Sequence, residues 1–173
     1  MPDDNDSIRH ALDPVMLEFG ATVYICQLFE NSLCLLMALV AEHLTSSDGK
    51  AFQASWDFHA KKTLGGLVCA LKDQINVPLD FEALLQEGVQ ARNKIIHGYL
   101  PNNMKRVFDL KARKEIIEEL KTLRAVIRSQ DLAVVRIIDE LLKKYGTSTD
   151  ALKQQATELW RWLNFESMAK TMQ

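Results

Sequence analysis

The sequence predicts an all-α protein, an up-and-down helical bundle of about four long helices plus a C-terminal helix. Apolar residues recur at steps of three and four over long stretches, and no stretch keeps the period of two that is typical of strands. No repeat with a period of about 20 to 50 residues is visible. Short polar turns separate the long periodic stretches, which favours neighbouring antiparallel helices.

The composition predicts a single domain. The chain has 173 residues, of which 47% are hydrophobic, and this is enough for one domain with a core. We expect residues 1–13 to be a flexible acidic lead-in and residues 14–173 to form that domain. The formal net charge of −2 argues against a protein that coats nucleic acid without specificity.

The cysteines and the N-terminus predict a cytoplasmic protein. Cys26, Cys34 and Cys69 lie in apolar segments without Cys-x-x-Cys spacing, so we expect buried free thiols, a reducing compartment and no zinc site. The acidic N-terminus is the opposite of a secretion signal. The longest uncharged apolar block, Leu33–Ala41, is far shorter than the roughly 20 residues of a membrane-spanning helix, so we expect no membrane partner.

The first predicted helix runs from near Pro14 to about Leu44. Apolar residues occupy most of its faces, which predicts a central helix covered by several neighbours. Gln27 and Glu30 form a polar spot on this surface. They either lie at a partly solvated seam and satisfy local hydrogen bonds, or Glu30 is a buried carboxylate that pairs with Arg92.

The second predicted helix spans Lys50–Ile75, after a turn at residues 45–49 that contains a plausible N-cap. Gly65 and Gly66 interrupt it and predict a bend or a close approach of another backbone. His59 has no catalytic residue type beside it. We therefore interpret it as a packed or surface histidine.

The third predicted helix spans Phe81–His97 and is capped by Asp80. Gly98 and Pro101 predict its end, because glycine favours a left-handed C-cap and proline breaks helices. His97 would then lie in the last turn. The carbonyl groups of a helix end carry partial negative charge, which would raise the pKa of the histidine toward neutral pH.

The most basic part of the chain follows a predicted loop at residues 100–104. Between Lys105 and Arg128 stand eight basic residues and four acidic ones. This run is either a solvated helix face or a surface that holds a polyanion near His97. The apolar period continues to Leu141 and leaves open whether one helix or two are present. A stop signal at residues 146–150 precedes a last helix over Ala151–Phe165.

The third helix carries the residues that point to a family. Arg92-Asn93-Lys94-Ile95-Ile96-His97 resembles the Arg-polar-x-x-x-His signature of the HEPN superfamily, and Tyr99 extends it to the Arg-x4-His-x-Tyr form of HepT-type toxins. The resemblance implies a helical-bundle homodimer that acts as a metal-independent ribonuclease in toxin–antitoxin or phage-defence systems. Other members of the superfamily have lost catalysis and serve as binding modules.

The resemblance also suggests partners and a second role for Tyr99. In HepT-like proteins the matching tyrosine receives a nucleotide from a partner antitoxin, so a cognate antitoxin or nucleotidyltransferase is an expected partner. The alternative is that Tyr99 is a packing residue on the same apolar stripe as Ile95.

The chemistry of RNA cleavage gives a separate reason for a dimer. Cleavage without a metal or cofactor needs a base for the 2′-hydroxyl proton, an acid for the leaving 5′-oxygen and a cation at phosphorus. His97 supplies one of the first two, Arg92 would clamp the phosphate, and Asn93 would orient the imidazole or a phosphate oxygen. A second histidine then has to come from a second copy of the chain.

The alternative function is a non-catalytic interaction or regulatory module that binds a nucleotide or a partner. In that case Arg92 is a structural ion-pair partner of Glu30, and His97 only complements the end of its helix.

Overall fold

In a computed structural model of the chain, residues 4–45, 49–148, 150–151 and 154 are described, with the backbone alone for residues 4–11. This part of the chain holds five helices and no strand, which confirms the predicted all-α bundle. The helices are α1 (Asp4–Thr45), α2 (Lys50–His59), α3 (Leu64–Gln74), α4 (Leu79–Val107) and α5 (Leu110–Lys144). Most of the predicted last helix, Ala151–Phe165, lies outside the described residues.

The chain divides into two compact units, Met1–Val134 and Val135–Gln173, where the sequence predicted one domain over residues 14–173. The boundary falls within α5. The residues of the predicted site all belong to the first unit, which α1 to α4 and the first two-thirds of α5 build.

Helix α1 is the central helix of the first unit. It packs against α2, α3 and α4, and its fully buried side chains include Phe29, Leu33 and Met37. The predicted start near Pro14 was wrong, since the helix begins at Asp4 and contains the proline. Proline removes its own N–H from the hydrogen-bond ladder, but the residues before it can still be helical.

One face of α1 is not covered by the described part of the chain, although the sequence predicted a central helix covered by several neighbours. Met16, Leu17 and Tyr24 are exposed on it, and Gly20 lies between them. Periodicity reports which residues are apolar, but an apolar residue on a helix does not require a neighbour from the same chain.

Helix α1 also contains a stretch, Leu12–Thr45, that is long and apolar enough to cross a membrane by length and composition. The stretch includes the charged residue Glu30, which lies just before the uncharged block Leu33–Ala41 considered from the sequence. In the most apolar window of this stretch, 56% of the residues are buried inside the protein. Core helices of soluble proteins share this property.

The predicted second helix is two helices. Helix α2 ends at His59, and α3 begins at Leu64 after Thr63, whose side-chain oxygen accepts a hydrogen bond from the Gly66 backbone N–H at 3.3 Å. The glycine pair therefore lies in the first turn of α3 and does not bend a longer helix. At the start of α2, Gly49 is the N-cap with φ 83°, a conformation that favours glycine, and it forms no side-chain cap.

The predicted end of the third helix at His97 was also wrong. Helix α4 continues through Gly98 and Pro101 to Val107, ten residues beyond His97. Contacts with α5 hold the extra turns, because Arg106 hydrogen-bonds and pairs with Glu119 at 2.9 Å. His97 therefore does not lie beside the helix-end carbonyl groups that were expected to raise its pKa. The predicted loop at residues 100–104 is also wrong, because these residues are helical.

Side-chain contacts fix the directions of the helices. Thr22 and Ser32 of α1 contact Leu120 and Asp131 of α5, so α1 and α5 run parallel. Helix α4 runs antiparallel to both, because its earlier residue Glu87 bonds to Gln130 of α5 while its later residue Tyr99 bonds to Ile116.

The sequence left open whether one helix or two follow residue 105, and the structure shows a single helix, α5. It is one helix from Leu110 to Lys144. Gly146 follows it with φ 70°, a left-handed conformation that agrees with the predicted stop signal.

Candidate functional site

Four predicted residues meet on one side of the first unit. Helix α4 carries Arg92, Asn93 and His97, and α1 carries Glu30. The Arg92 guanidinium is the centre of this group, which we call the Arg92 cluster, because it contacts each of the other three. Gly88, one turn before Arg92, brings α4 close to α1, since an added Cβ there would lie 2.8 Å from Cε1 of Phe29.

Glu30 holds one edge of the guanidinium. Its Oε1 lies 2.5 Å from Nε of Arg92, and the exposed fractions of the two side chains are 30% for Glu30 and 14% for Arg92. The ion pair is thus partly buried. The predicted pair with Arg92 is present, but Glu30 is partly solvated and not the buried carboxylate of that prediction. A partly buried arginine retains its charge and needs such a partner.

The thiol of Cys26 lies close enough to this pair to be affected by its charges. Burial raises the pKa of Cys26 to about 11, while the charge of Arg92 lowers it and that of Glu30 raises it. The thiol is therefore protonated at neutral pH and is not a nucleophile. Cys26 and Cys34 are buried free cysteines as predicted, but the prediction was wrong for Cys69, which is exposed on α3.

The other side of the guanidinium faces His97. Nη1 of Arg92 lies 3.1 Å from Nε2 of His97 and donates a 3.2 Å hydrogen bond to Oδ1 of Asn93. Arginine has no acceptor, so Nε2 has to accept this hydrogen bond and carries no proton in this arrangement. The side chains of His97 and Asn93 are exposed.

The side chain of Asn93 accepts a hydrogen bond from Arg92. The sequence suggested that Asn93 orients the imidazole or a phosphate oxygen, and the contact in the structure is with Arg92. Asn93 and Glu30 together fix the guanidinium from two sides, and the guanidinium in turn contacts His97.

Two of the five guanidinium N–H groups remain for a ligand at Nη2. Nη2 forms no hydrogen bond with any residue in the described part of the chain, whereas Nε is engaged by Glu30 and Nη1 by Asn93 and His97. A bidentate clamp through Nε and Nη2 would have to displace Glu30. A phosphate can be reached through Nη2 without that change.

Tyr99 does not join the Arg92 cluster. Its side chain is 2% exposed, and its hydroxyl donates hydrogen bonds to Oε2 of Glu119 at 2.9 Å and to the carbonyl of Ile116 at 3.3 Å. Burial, followed by the bond to Glu119, raises the pKa of Tyr99 well above its ordinary value. The placement is that of a packing residue, and modification of Tyr99 stays a prediction that requires the hydroxyl to become accessible.

Much of the basic run is neutralised within the chain. Arg106, Lys121 and Arg124 form ion pairs with carboxylates, and Arg113 donates a 2.7 Å hydrogen bond to the carbonyl of Val107. Lys105, Lys111, Lys114 and Arg128 are exposed and form no ion pair with the described residues. The run therefore contributes fewer free charges than its composition indicated.

The described residues contain no group of three or more His, Cys, Asp or Glu side chains placed to hold a metal ion. The Arg92 cluster offers a fixed cation, a histidine nitrogen whose lone pair accepts a hydrogen bond from that cation, and an exposed amide. These groups are suited to binding and proton transfer at a phosphate.

No family model, curated protein or solved structure matches the chain. The resemblance to the HEPN superfamily is carried by the motif residues Arg92, Asn93, His97 and Tyr99.

Proposed function

We propose that the protein is a metal-independent endoribonuclease that acts as a homodimer with a composite site. The observation that carries the proposal is the 3.1 Å contact between Nη1 of Arg92 and Nε2 of His97 at an exposed position. This contact puts a permanent cation beside the histidine nitrogen, and the lone pair of Nε2 becomes available for a proton when the guanidinium turns from His97 to a phosphate. A 2′-hydroxyl attack on phosphorus needs both groups within reach of one phosphodiester.

The proposed reaction uses the two copies of His97 in different roles. Nε2 of one copy takes the 2′-hydroxyl proton, and the 2′-oxygen attacks phosphorus. Arg92 stabilises the negative charge on the phosphoryl oxygens through Nη2. In the second copy, His97 leaves its contact with Arg92 and is protonated on Nε2. It gives this proton to the departing 5′-oxygen, which leaves a 2′,3′-cyclic phosphate and a 5′-hydroxyl.

The uncovered face of α1 supports the dimer. Because α1 and α4 are antiparallel and joined at Glu30 and Arg92, the segment of α1 before Glu30 runs alongside the segment of α4 after Arg92. Both segments expose apolar side chains, Tyr24 and Met16 on α1 and Ile96 on α4. Exposed apolar residues on two helices that run side by side favour a protein–protein interface there.

An RNA-cleavage assay tests the proposal. Purified protein is incubated with unstructured and structured RNA in EDTA, and the ends of the products are identified. We expect cleavage to 2′,3′-cyclic phosphates, and we expect His97→Ala and Arg92→Ala to abolish it. Arg128→Ala is the matched control, since Arg128 is an exposed arginine outside the Arg92 cluster, and it should cleave at the wild-type rate.

The dimer is tested in the same preparations. Tyr24→Asp places a charge on the uncovered face of α1, away from the Arg92 cluster contacts, and should shift the mass measured by light scattering from dimer to monomer while cleavage is lost. A dimeric Tyr24→Asp variant, or a monomer that cleaves RNA normally, would contradict the composite site. With this function we also expect a cytoplasmic location, toxicity on expression, and protection by a cognate antitoxin or nucleotidyltransferase.

The second candidate is a non-catalytic interaction or regulatory module. The 2.5 Å bond between Arg92 and Glu30 within one chain favours it, because an ion pair of this kind can be structural alone. In that case wild-type protein leaves every RNA intact, and Arg92→Ala lowers the stability while His97→Ala changes nothing. The cleavage assay and a denaturation curve separate the two functions.

A further inference from the structure

A cavity that is wide open to solvent lies between α1, α2 and α3, apart from the Arg92 cluster, and uses none of its residues. Its lining residues Ala54, Phe58 and Asp73 are exposed. Its volume is about 430 Å³, which is within the range of small-molecule sites and far above the roughly 30 Å³ that one water occupies. Three alanines, Ala41, Ala54 and Ala70, form its apolar wall. Their short side chains leave the space open.

Two buried polar atoms in this cavity have no hydrogen-bond partner. They are Oγ of Ser55 and Nδ1 of His59. The two residues stand one helical turn apart on α2, and both are among the residues that line the cavity. His59 is 3% exposed, so its ring is not satisfied by bulk solvent. Buried polar groups are nearly always paired in folded proteins, and two unpaired groups in one cavity indicate a partner that the chain does not supply.

Two side chains of opposite charge line the same cavity. They are Lys62, in the turn after α2, and Asp73, on α3, and neither forms an ion pair with another residue of the described chain. Nζ of Lys62 lies 4.3 Å from the ring centroid of Phe58. Burial, followed by the charge of Lys62, lowers the pKa of His59, so the ring is neutral and adds no second cation.

This charge pattern selects the ligand class. A polyanion such as a nucleotide would meet one cation and be repelled by Asp73, and the ring face of Phe58 that a base would stack on is covered by Lys62. A molecule with one anionic and one cationic end satisfies both side chains. The alanine wall favours an apolar body between or beside the two ends.

We propose that this cavity binds a free α-amino acid with an apolar side chain. Its carboxylate pairs with Lys62, its ammonium group pairs with Asp73, and Ser55 and His59 hydrogen-bond to the polar end. The proposal does not depend on the ribonuclease function, because it uses different residues and a different ligand.

Calorimetric titration of the full chain tests the proposal, with L-alanine, L-valine and L-leucine as probes. We expect at least one of them to bind one-to-one. N-acetyl-L-leucine lacks the cation and L-leucinamide lacks the anion, so neither should bind. Lys62→Gln and Asp73→Asn should each weaken binding about tenfold or more, which corresponds to the loss of one charge-assisted hydrogen bond. Lys61→Gln, an exposed neighbour with the same change in charge, should bind as wild type does.

A second measurement keeps the test independent of variant folding. In the wild-type protein, the ring ¹⁵N resonance of His59 should move on addition of the amino acid that binds, while that of His97 should not. The proposal is overturned if none of the three amino acids gives heat or a melting shift up to about 10 mM, which would fill roughly nine-tenths of a millimolar site. It is also overturned if the capped analogues bind equally well or if Lys62→Gln and Asp73→Asn bind normally.

Discussion

Replacing Glu30 by glutamine removes the charge that faces Arg92 and retains an oxygen that can accept the Nε hydrogen bond. At an effective dielectric constant of about 20, two charges about 4 Å apart attract by about 4 kcal/mol, and desolvation of both groups offsets part of this. The pair is partly buried, with exposed fractions of 14% and 30%. We therefore expect Glu30→Gln to lower the free energy of unfolding by about 1–2 kcal/mol.

The same substitution has an opposite effect on RNA binding. Glu30 places a negative charge beside the guanidinium that would meet a phosphate, and a repulsion of about 1 kcal/mol in water corresponds to a factor of about five in affinity. The retained hydrogen bond keeps the guanidinium facing His97. We expect the KM for RNA to fall about fivefold in Glu30→Gln, with kcat little changed.

Urea denaturation and steady-state cleavage measure these two effects on one preparation. Glu118→Gln is the matched control for stability, because Glu118 forms an exposed pair with Lys121 and its loss should not be measurable. The reasoning is refuted if Glu30→Gln is as stable as the control. It is equally refuted if Glu30→Gln cleaves as poorly as Arg92→Ala.

Two further predictions concern the packing and the acid stability of the first unit. Gly88→Ala should lower the free energy of unfolding by about 1–3 kcal/mol in urea denaturation, because its Cβ would lie 2.8 Å from the Phe29 ring. Gly20→Ala, with nothing within 4 Å of the added Cβ, should raise the free energy of unfolding by about 0.5–1 kcal/mol. Equal effects of the two substitutions would contradict the close approach of α4 to α1 at Gly88. Hydrogen bonds from Arg106 lower the pKa of Glu119 from its ordinary 4.5, so its contribution to stability is complete above about pH 4.5 and is lost as the pH falls through the folded-state pKa. The acid limb of a stability–pH curve should accordingly be shallower in Glu119→Gln, and an unchanged limb would count against this assignment.

The predictions from sequence were reliable where the signal was long and periodic. The helical bundle and the long first helix follow from apolar spacing repeated over many turns, whereas for α5 the spacing left open whether one helix or two are present. Single-residue signals were less reliable. Gly98 and Pro101 predicted an end to α4, but Arg106 and Tyr99 are tied to Glu119 of α5, and these contacts outweigh the local preference for a break.

The site was predicted in part. Residue types and spacing pointed to Arg92, Asn93 and His97 as site residues. The position of Glu30, a carboxylate within an otherwise apolar helix, made it a candidate partner of Arg92. The sequence could not show that Arg92 contacts Glu30 as well as Asn93 and His97, because the contact with Glu30 depends on the close approach of α1 and α4 at Gly88. It also gave no sign that His59 lines a cavity, since Ala41 and Asp73, which line it too, are distant in sequence.

The most direct test of the central claim is RNA cleavage by wild-type protein and His97→Ala, measured side by side in EDTA at equal, verified folding. We predict 2′,3′-cyclic phosphate products with wild type and none with His97→Ala. Intact RNA in both reactions, or equal cleavage by both proteins, would contradict the assignment of the Arg92 cluster as a ribonuclease site.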